Sequence, residues 1–130
     1  MNGLVTLQAF LQNEKYDGAI LTSPVNLHYF AGFTGTTAVA FIGPKSAYIL
    51  TDSRYTEQAK SECEGYEVIQ YTKDVYETIK DLVNDSGTAL QTCCFEGSIM
   101  SVDVFQQLCD TLDDTEFLSL NFFYSCLFLF

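Results

Sequence analysis

Thr36 to Ile42 is an almost unbroken apolar run, followed by Gly43-Pro44-Lys45-Ser46 and a second apolar run, Ala47-Tyr48-Ile49-Leu50-Thr51. Two such runs joined by a Gly-Pro turn read as a β-hairpin, which commits the middle of the chain to a sheet. Asp52 and Ser53 follow as capable N-caps, and Tyr55, Ala59 and Cys63 fall four apart, so a helix is expected from near Ser53 to near Gly65. The strand-to-helix junction then presents Asp52 to Tyr55 at its tip.

The flanking sequence fills in the rest. Leu4, Leu7, Phe10 and Leu11 recur at helical spacing before the turn signal Asp17-Gly18, and Ala19-Ile20-Leu21-Thr22 is a short apolar strand closed by Ser23-Pro24. Val25 to Gly35 reads as a short helix and a glycine-hinged loop. Tyr66 to Tyr71 reads as a strand near a sheet edge. Asp74 with Glu77 starts a helix that keeps Val75, Ile79, Leu82 and Val83 on one face until Gly87. The pattern repeats with a strand over Ala89 to Phe95, a helix capped by Ser101 with Val104, Phe105, Leu108 and Leu112 inward, and a last strand from Glu116 to Leu120. Helix, strand, hairpin, then strand and helix pairs point to an α/β sandwich with a mixed sheet.

Composition narrows the function classes. The 130 residues, 48% of them hydrophobic, suffice for one domain with its own core. A formal charge of −11 argues against nucleic acid and anionic membranes, which would be repelled. Five cysteines in irregular spacing, with no Cys-x-x-Cys pair, do not form a disulfide framework, and a single histidine cannot complete the usual Cys/His zinc patterns. The thiols read as buried residues of a reducing cytosol, and the N-terminus lacks the basic region and cleavage site of a secretory signal. Phe122 to Phe130 is uncharged, with eight apolar or aromatic residues in nine, and with its lead-in it falls short of the ~20 apolar residues of a membrane span.

Two segments are over-specified for plain core. Ser23-Pro24-Val25-Asn26-Leu27-His28-Tyr29-Phe30-Ala31-Gly32-Phe33-Thr34-Gly35 gathers the only histidine with aromatics and glycines, and Thr51-Asp52-Ser53-Arg54-Tyr55 carries the only arginine directly after a strand. Carboxyl ends of strands in open α/β sheets are where ligands sit. Each feature also has a structural reading: a half-buried His28 satisfied by a carbonyl, an Arg54 tied to Asp52 or a helix end, and Tyr29, Phe30 and Phe33 as core. No P-loop, G-x-G-x-x-G, H-E-x-x-H or G-x-S-x-G is present, so no catalytic residue is assigned.

In this order the two segments resemble the N-terminal domain of the creatinase, prolidase and Xaa-Pro aminopeptidase superfamily, through Asn26-x-x-Tyr29-x-x-Gly32-Phe33-x-Gly35 and Thr51-Asp52-x-Arg54-Tyr55-x-x-Gln58-Ala59. Cys94-Phe95-Glu96 is similar to the family's strand ending in Gly-Phe-Glu, with cysteine for glycine. The resemblance implies a three-layer α/β sandwich with a ribonuclease H-like mixed sheet over residues 1–121, and no catalysis within it. Peptide hydrolysis beside proline is implied for a following pita-bread domain of the same polypeptide holding two divalent metal ions, usually manganese, with no metal in this chain. The family's interdomain helix would begin near Asn121, whereas this chain runs into the hydrophobic tail 122–130. The resemblance further implies a cytoplasmic homodimer in which this domain helps wall the partner's active site against long chains, admitting short proline-containing peptides. By position, Asn26, His28, Tyr29, Phe33 and Arg54 are the candidates for that wall. The alternative is a stand-alone module that binds a small ligand or a partner without peptidase activity.

Overall fold

The computed structural model describes residues 3–119. The tail 122–130 and the expected boundary at 121 lie outside the described residues. Helix α1 (Gly3–Glu14) leads to β1 (Gly18–Leu21), a short α2 (Pro24–Asn26) and a π-helical turn (Leu27–Ala31). The hairpin β2 (Ala38–Ile42) and β3 (Ala47–Thr51) follows, then α3 (Thr56–Glu62), β4 (Glu67–Gln70), α4 (Val75–Ser86), β5 (Thr92–Phe95), α5 (Val102–Thr111) and β6 (Glu116–Ser119).

One six-stranded mixed sheet runs β4-β3-β2-β1-β5-β6. The β1–β2 and β2–β3 pairs are antiparallel, while β1–β5, β3–β4 and β5–β6 are parallel. Strand β2 alone therefore runs against the other five, whose carboxyl ends share one edge of the sheet with the amino end of β2. Side-chain alternation splits the interior into two cores. Ala19, Leu21, Ala40, Ile49 and Cys94 pack with Leu7 and Leu11 of α1, Phe30, Phe33 and Ala59. Ile20, Phe41, Leu50 and Cys93 pack with Ile79 of α4 and Leu108 of α5. This is the expected three-layer sandwich, α1 to α3 on one face and α4 and α5 on the other.

The caps explain where the helices start. Asp74 accepts from Tyr76 N and Glu77 N, and Ser101 Oγ accepts from Val104 N, as the sequence predicts. Helix α3 departs from the expectation: it begins at Thr56, and its N-cap Tyr55 makes no side-chain cap bond. Asp52 accepts instead from Arg54 N at 3.0 Å, closing a tight turn ahead of the helix. Strand β5 likewise begins at Thr92, three residues later than the apolar run suggests.

Candidate functional site

Both over-specified segments meet at the carboxyl edge. The chain leaves β1 at Thr22, passes through α2 and the π-helical turn, and enters β2 from the same edge; β3 delivers Asp52 and Arg54 beside it. The π-helical turn ends at Gly32, whose left-handed φ of +75° lets its N–H reach the His28 and Leu27 carbonyls. A Cβ at Gly32 would come within 3.0 Å of the Glu62 carbonyl oxygen, so this glycine also sets the approach of α3.

The turn is held from both ends. Tyr66 Oη donates to the Phe30 carbonyl at 2.9 Å. At the other end stands Glu96, directly after β5 and only 1% exposed. Its Oε1 accepts from Thr22 N and from Ser23 N at 2.9 Å, and its Oε2 accepts from Ser23 Oγ at 2.7 Å and Asn26 Nδ2 at 2.5 Å. Burial pushes this carboxyl up, yet donation from Asn26, Thr22 and Ser23 outweighs it and holds the group below the ordinary glutamate range. Glu96 therefore remains an acceptor, pinning the α2 end to the neighbouring strand.

The wall candidates divide into exposed and interior residues. Tyr29 is 48% exposed and His28 is exposed, so His28 is not the half-buried histidine of the structural reading. The nearby Glu62 carboxyl is held below its ordinary value, chiefly by hydrogen bonds from Thr34. Asn26 is buried against Glu96. Phe33 is 1% exposed, edge-on to Tyr55 with centroids 5.9 Å apart. Asn26 and Phe33 thus stand behind the surface, and Tyr29, His28 and Arg54 are on it.

Arg54 is not a lone cation. Its Nη2 donates to Asp52 Oδ2 at 2.7 Å and its Nε to Oδ1 at 3.1 Å, with its side chain 64% exposed. That hydrogen bonding holds Asp52 below and raises Arg54 above their usual values. The guanidinium lies 5.2 Å from the Tyr55 ring centroid. Tyr55 Oη is 2.6 Å from Thr36 Oγ1, so Arg54, Tyr55 and Phe33 form a continuous stack from solvent to core. Among the described residues Nη1 has no hydrogen-bond acceptor, and with the side chain 64% exposed it is a donor available to a ligand.

Among the described residues no three His, Cys, Asp or Glu side chains are grouped so as to hold a metal ion. Burial pushes the Cys63 thiol up to about 11 and Cys94 to about 12, which keeps both protonated and poorly nucleophilic. Two shallow grooves, of about 400 and 310 Å³, lie at the opposite, amino edge, where Leu90 and Val83 line both. No described helix is long and apolar enough to cross a membrane.

Glu96 is the residue that periodicity did not single out; the available signal was an acidic residue ending an apolar strand. The family profile of the Creatinase/Prolidase N-terminal domain matches residues 4–122. Among curated proteins, the Uncharacterized peptidase YqhT of Bacillus subtilis is 34% identical over 100 residues, covering 77% of this chain and 28% of that protein. This chain therefore spans little more than a quarter of that relative's length. Among solved structures, an Xaa-Pro dipeptidase from Bacillus anthracis superposes with a TM-score of 0.85 at 28% identity, over 96% of this chain and 34% of that one. An aminopeptidase P, or Xaa-Pro aminopeptidase, from Streptococcus thermophilus gives 0.86 at 29% identity, over 96% of this chain and 94% of that one.

Proposed function

This chain belongs to the creatinase/prolidase N-terminal domain family, and from that premise we propose that it is the non-catalytic N-terminal domain of a longer, metal-dependent Xaa-Pro peptidase. In this reading hydrolysis takes place in a following catalytic domain, which holds two divalent ions, and the whole acts in the cytoplasm as a homodimer. The carboxyl edge walls the partner subunit's active site, so that short peptides with proline at the second position enter and long chains do not.

The observation that supports this reading best is the stack from Phe33 through Tyr55 to Arg54, beside the braced turn that carries His28 and Tyr29. A wall must be rigid and must present polar groups outward. The interior candidates Asn26 and Phe33 supply the rigidity, and the exposed three supply the contacts. Because Asp52 neutralises Arg54, the free Nη1 acts by hydrogen bonding to a peptide oxygen more than by unbalanced charge.

The test is steady-state kinetics on the full-length protein carrying Arg54→Ala or Tyr29→Ala. A raised KM for Xaa-Pro peptides with kcat retained, in a protein of unchanged melting temperature, is the expected outcome; unchanged kcat and KM in both variants would remove the wall. Saturable, Arg54-dependent binding of Xaa-Pro dipeptides by the 130-residue chain alone would instead favour a stand-alone binding module. Metal-independent peptidase activity lost in His28→Ala would show an enzyme in its own right.

A further inference from the structure

Only six lysines and arginines stand against 17 acids in this chain, and half of them are committed: Arg54 to Asp52, Lys60 to Glu57 and Lys73 to Asp81. Lys15, Lys45 and Lys80 make no ion pair among the described residues. Lys45 and Lys80 line the two grooves at the amino edge, one in each. The grooves differ in the acids that join them. Lys80 shares its groove with Asp113 and Asp114, which offset its attraction for an anion. Asp17 is the acid lining the groove of Lys45, and its Oδ2 already accepts from Gln91 N at 2.9 Å and Thr92 N at 3.1 Å. Lys45 is therefore the charge in its groove that the protein leaves unanswered.

The surroundings of Lys45 are apolar and firmly set. Phe41 and Tyr48, partners across β2 and β3, hold their rings 15° from parallel with centroids 6.3 Å apart, and Leu82, Val83 and Leu90 join them in the lining. The turn that carries Lys45 is closed by Gly43 N donating to the Ser46 carbonyl at 2.9 Å. Helix α1 braces it: Gln8 Nε2 donates to the carbonyls of Gly43 at 3.2 Å and Ser46 at 3.1 Å, and Gln12 Nε2 to that of Pro44 at 2.7 Å. The backbone of the turn is thus fixed while the Lys45 side chain stays exposed.

We propose that this groove binds a small amphipathic carboxylate, an aryl or alkyl acid whose apolar body lies on Phe41, Tyr48, Leu82 and Leu90 and whose carboxylate accepts from Lys45 Nζ. The groove's volume of about 400 Å³ lies within the ~300–1,000 Å³ of small-molecule sites. The body removes apolar surface from water on both sides, and the charged hydrogen bond fixes its orientation. A single negative charge matches a single free cation, whereas a polyanion would meet the repulsion of a chain whose formal charge is −11. The site lies at the edge opposite Arg54 and Tyr29, so it is independent of the wall.

Phenylbutyrate titrated into the intact 130-residue chain, followed by backbone-amide NMR, provides the test. Saturable shifts at Lys45, Leu82 and Leu90 are expected, and phenylbutanol, the same body without the charge, should bind about tenfold more weakly. Lys45→Gln, which keeps the side chain's length and removes its charge, should weaken phenylbutyrate by about the same factor while leaving phenylbutanol unchanged. Lys45→Glu should weaken the acid further, in a chain of unchanged melting temperature. Absence of saturation, equal affinity for the acid and the alcohol, or undiminished binding in both Lys45 variants would overturn the proposal. Shifts confined to the carboxyl edge around His28 and Tyr29 would overturn it too, by placing the ligand elsewhere.

Discussion

Asn26 and Glu96, separated by 70 positions in sequence, face each other in the interior with Nδ2 donating to Oε2 at 2.5 Å. The contact joins the element that bears His28 and Tyr29 to a neighbouring parallel strand, and it is one of several donations into a single carboxylate. Glu96→Gln places an amide where two donors point and should cost about 2 kcal/mol. Asn26→Asp sets a second carboxylate against Glu96 and should cost about 3 kcal/mol. The two together restore a donor-acceptor pair, so the double variant should be more stable than Asn26→Asp alone, with a coupling energy of about 1 kcal/mol or more from urea unfolding. Strict additivity would show that the contact contributes no specific pairing.

The same carboxylate sets an acid limb. Its folded pKa is lowered, so its stabilisation is fully present above the unfolded value of about 4.3 and is lost as pH falls through the folded value. Urea titrations from pH 7 down to pH 3 should show the gap between wild type and Glu96→Gln closing below about pH 4. A gap that stays constant would mean Glu96 is not ionised in the fold.

Thiol labelling should follow burial. In a Cys126→Ser background, Cys109 is the partly exposed thiol, whereas Cys63, Cys93 and Cys94 are buried. A disulfide-exchange reagent at pH 8 should titrate Cys109 rapidly and the other three only at the rate of unfolding. The alkaline consequence carries the opposite sign to that of Glu96: the raised thiols keep their stabilising burial below the unfolded value of about 8.5 and lose it as pH climbs through about 11 at Cys63 and about 12 at Cys94.

Two glycines with nearly equal φ separate backbone strain from steric contact. Gly32 (φ +75°) and Gly87 (φ +72°) share the left-handed conformation, but a Cβ meets the Glu62 carbonyl oxygen only at Gly32. Gly87→Ala should cost about 1 kcal/mol from conformation alone, and Gly32→Ala clearly more. Equal losses by thermal denaturation would show that α3 yields freely.

The hairpin, the strand over Ala19 to Leu21 and the caps at Asp74 and Ser101 were all legible in the sequence, because each depends on neighbours a few residues apart. What escaped depends on distant partners. The π-helical turn at Leu27–Ala31 is fixed by Tyr66 and by the Glu96 junction, and nothing local distinguishes it from an ordinary turn. The α3 start moved to Thr56 because Asp52 spends its side chain on Arg54. That pair was one of the two open readings of Arg54. The inward placement of Asn26 and Phe33 could not be told from outward placement by composition, since an amide and an aromatic ring serve equally well in a core or a cleft.

Strand β2, alone in running against its five neighbours, has a consequence for how the chain comes together. It lets β1, β2 and β3 join by near neighbours in sequence, and β4 follow after one short helix, so four strands can pair using only residues up to Gln70. Strand β5 must return across more than seventy residues to lie beside β1, a closure that carries a larger entropic cost. During synthesis the half bearing Arg54 and His28 is therefore expected to assemble while β5 is still being made. The Glu96 junction is completed only afterwards, as a late clasp on a surface already laid down.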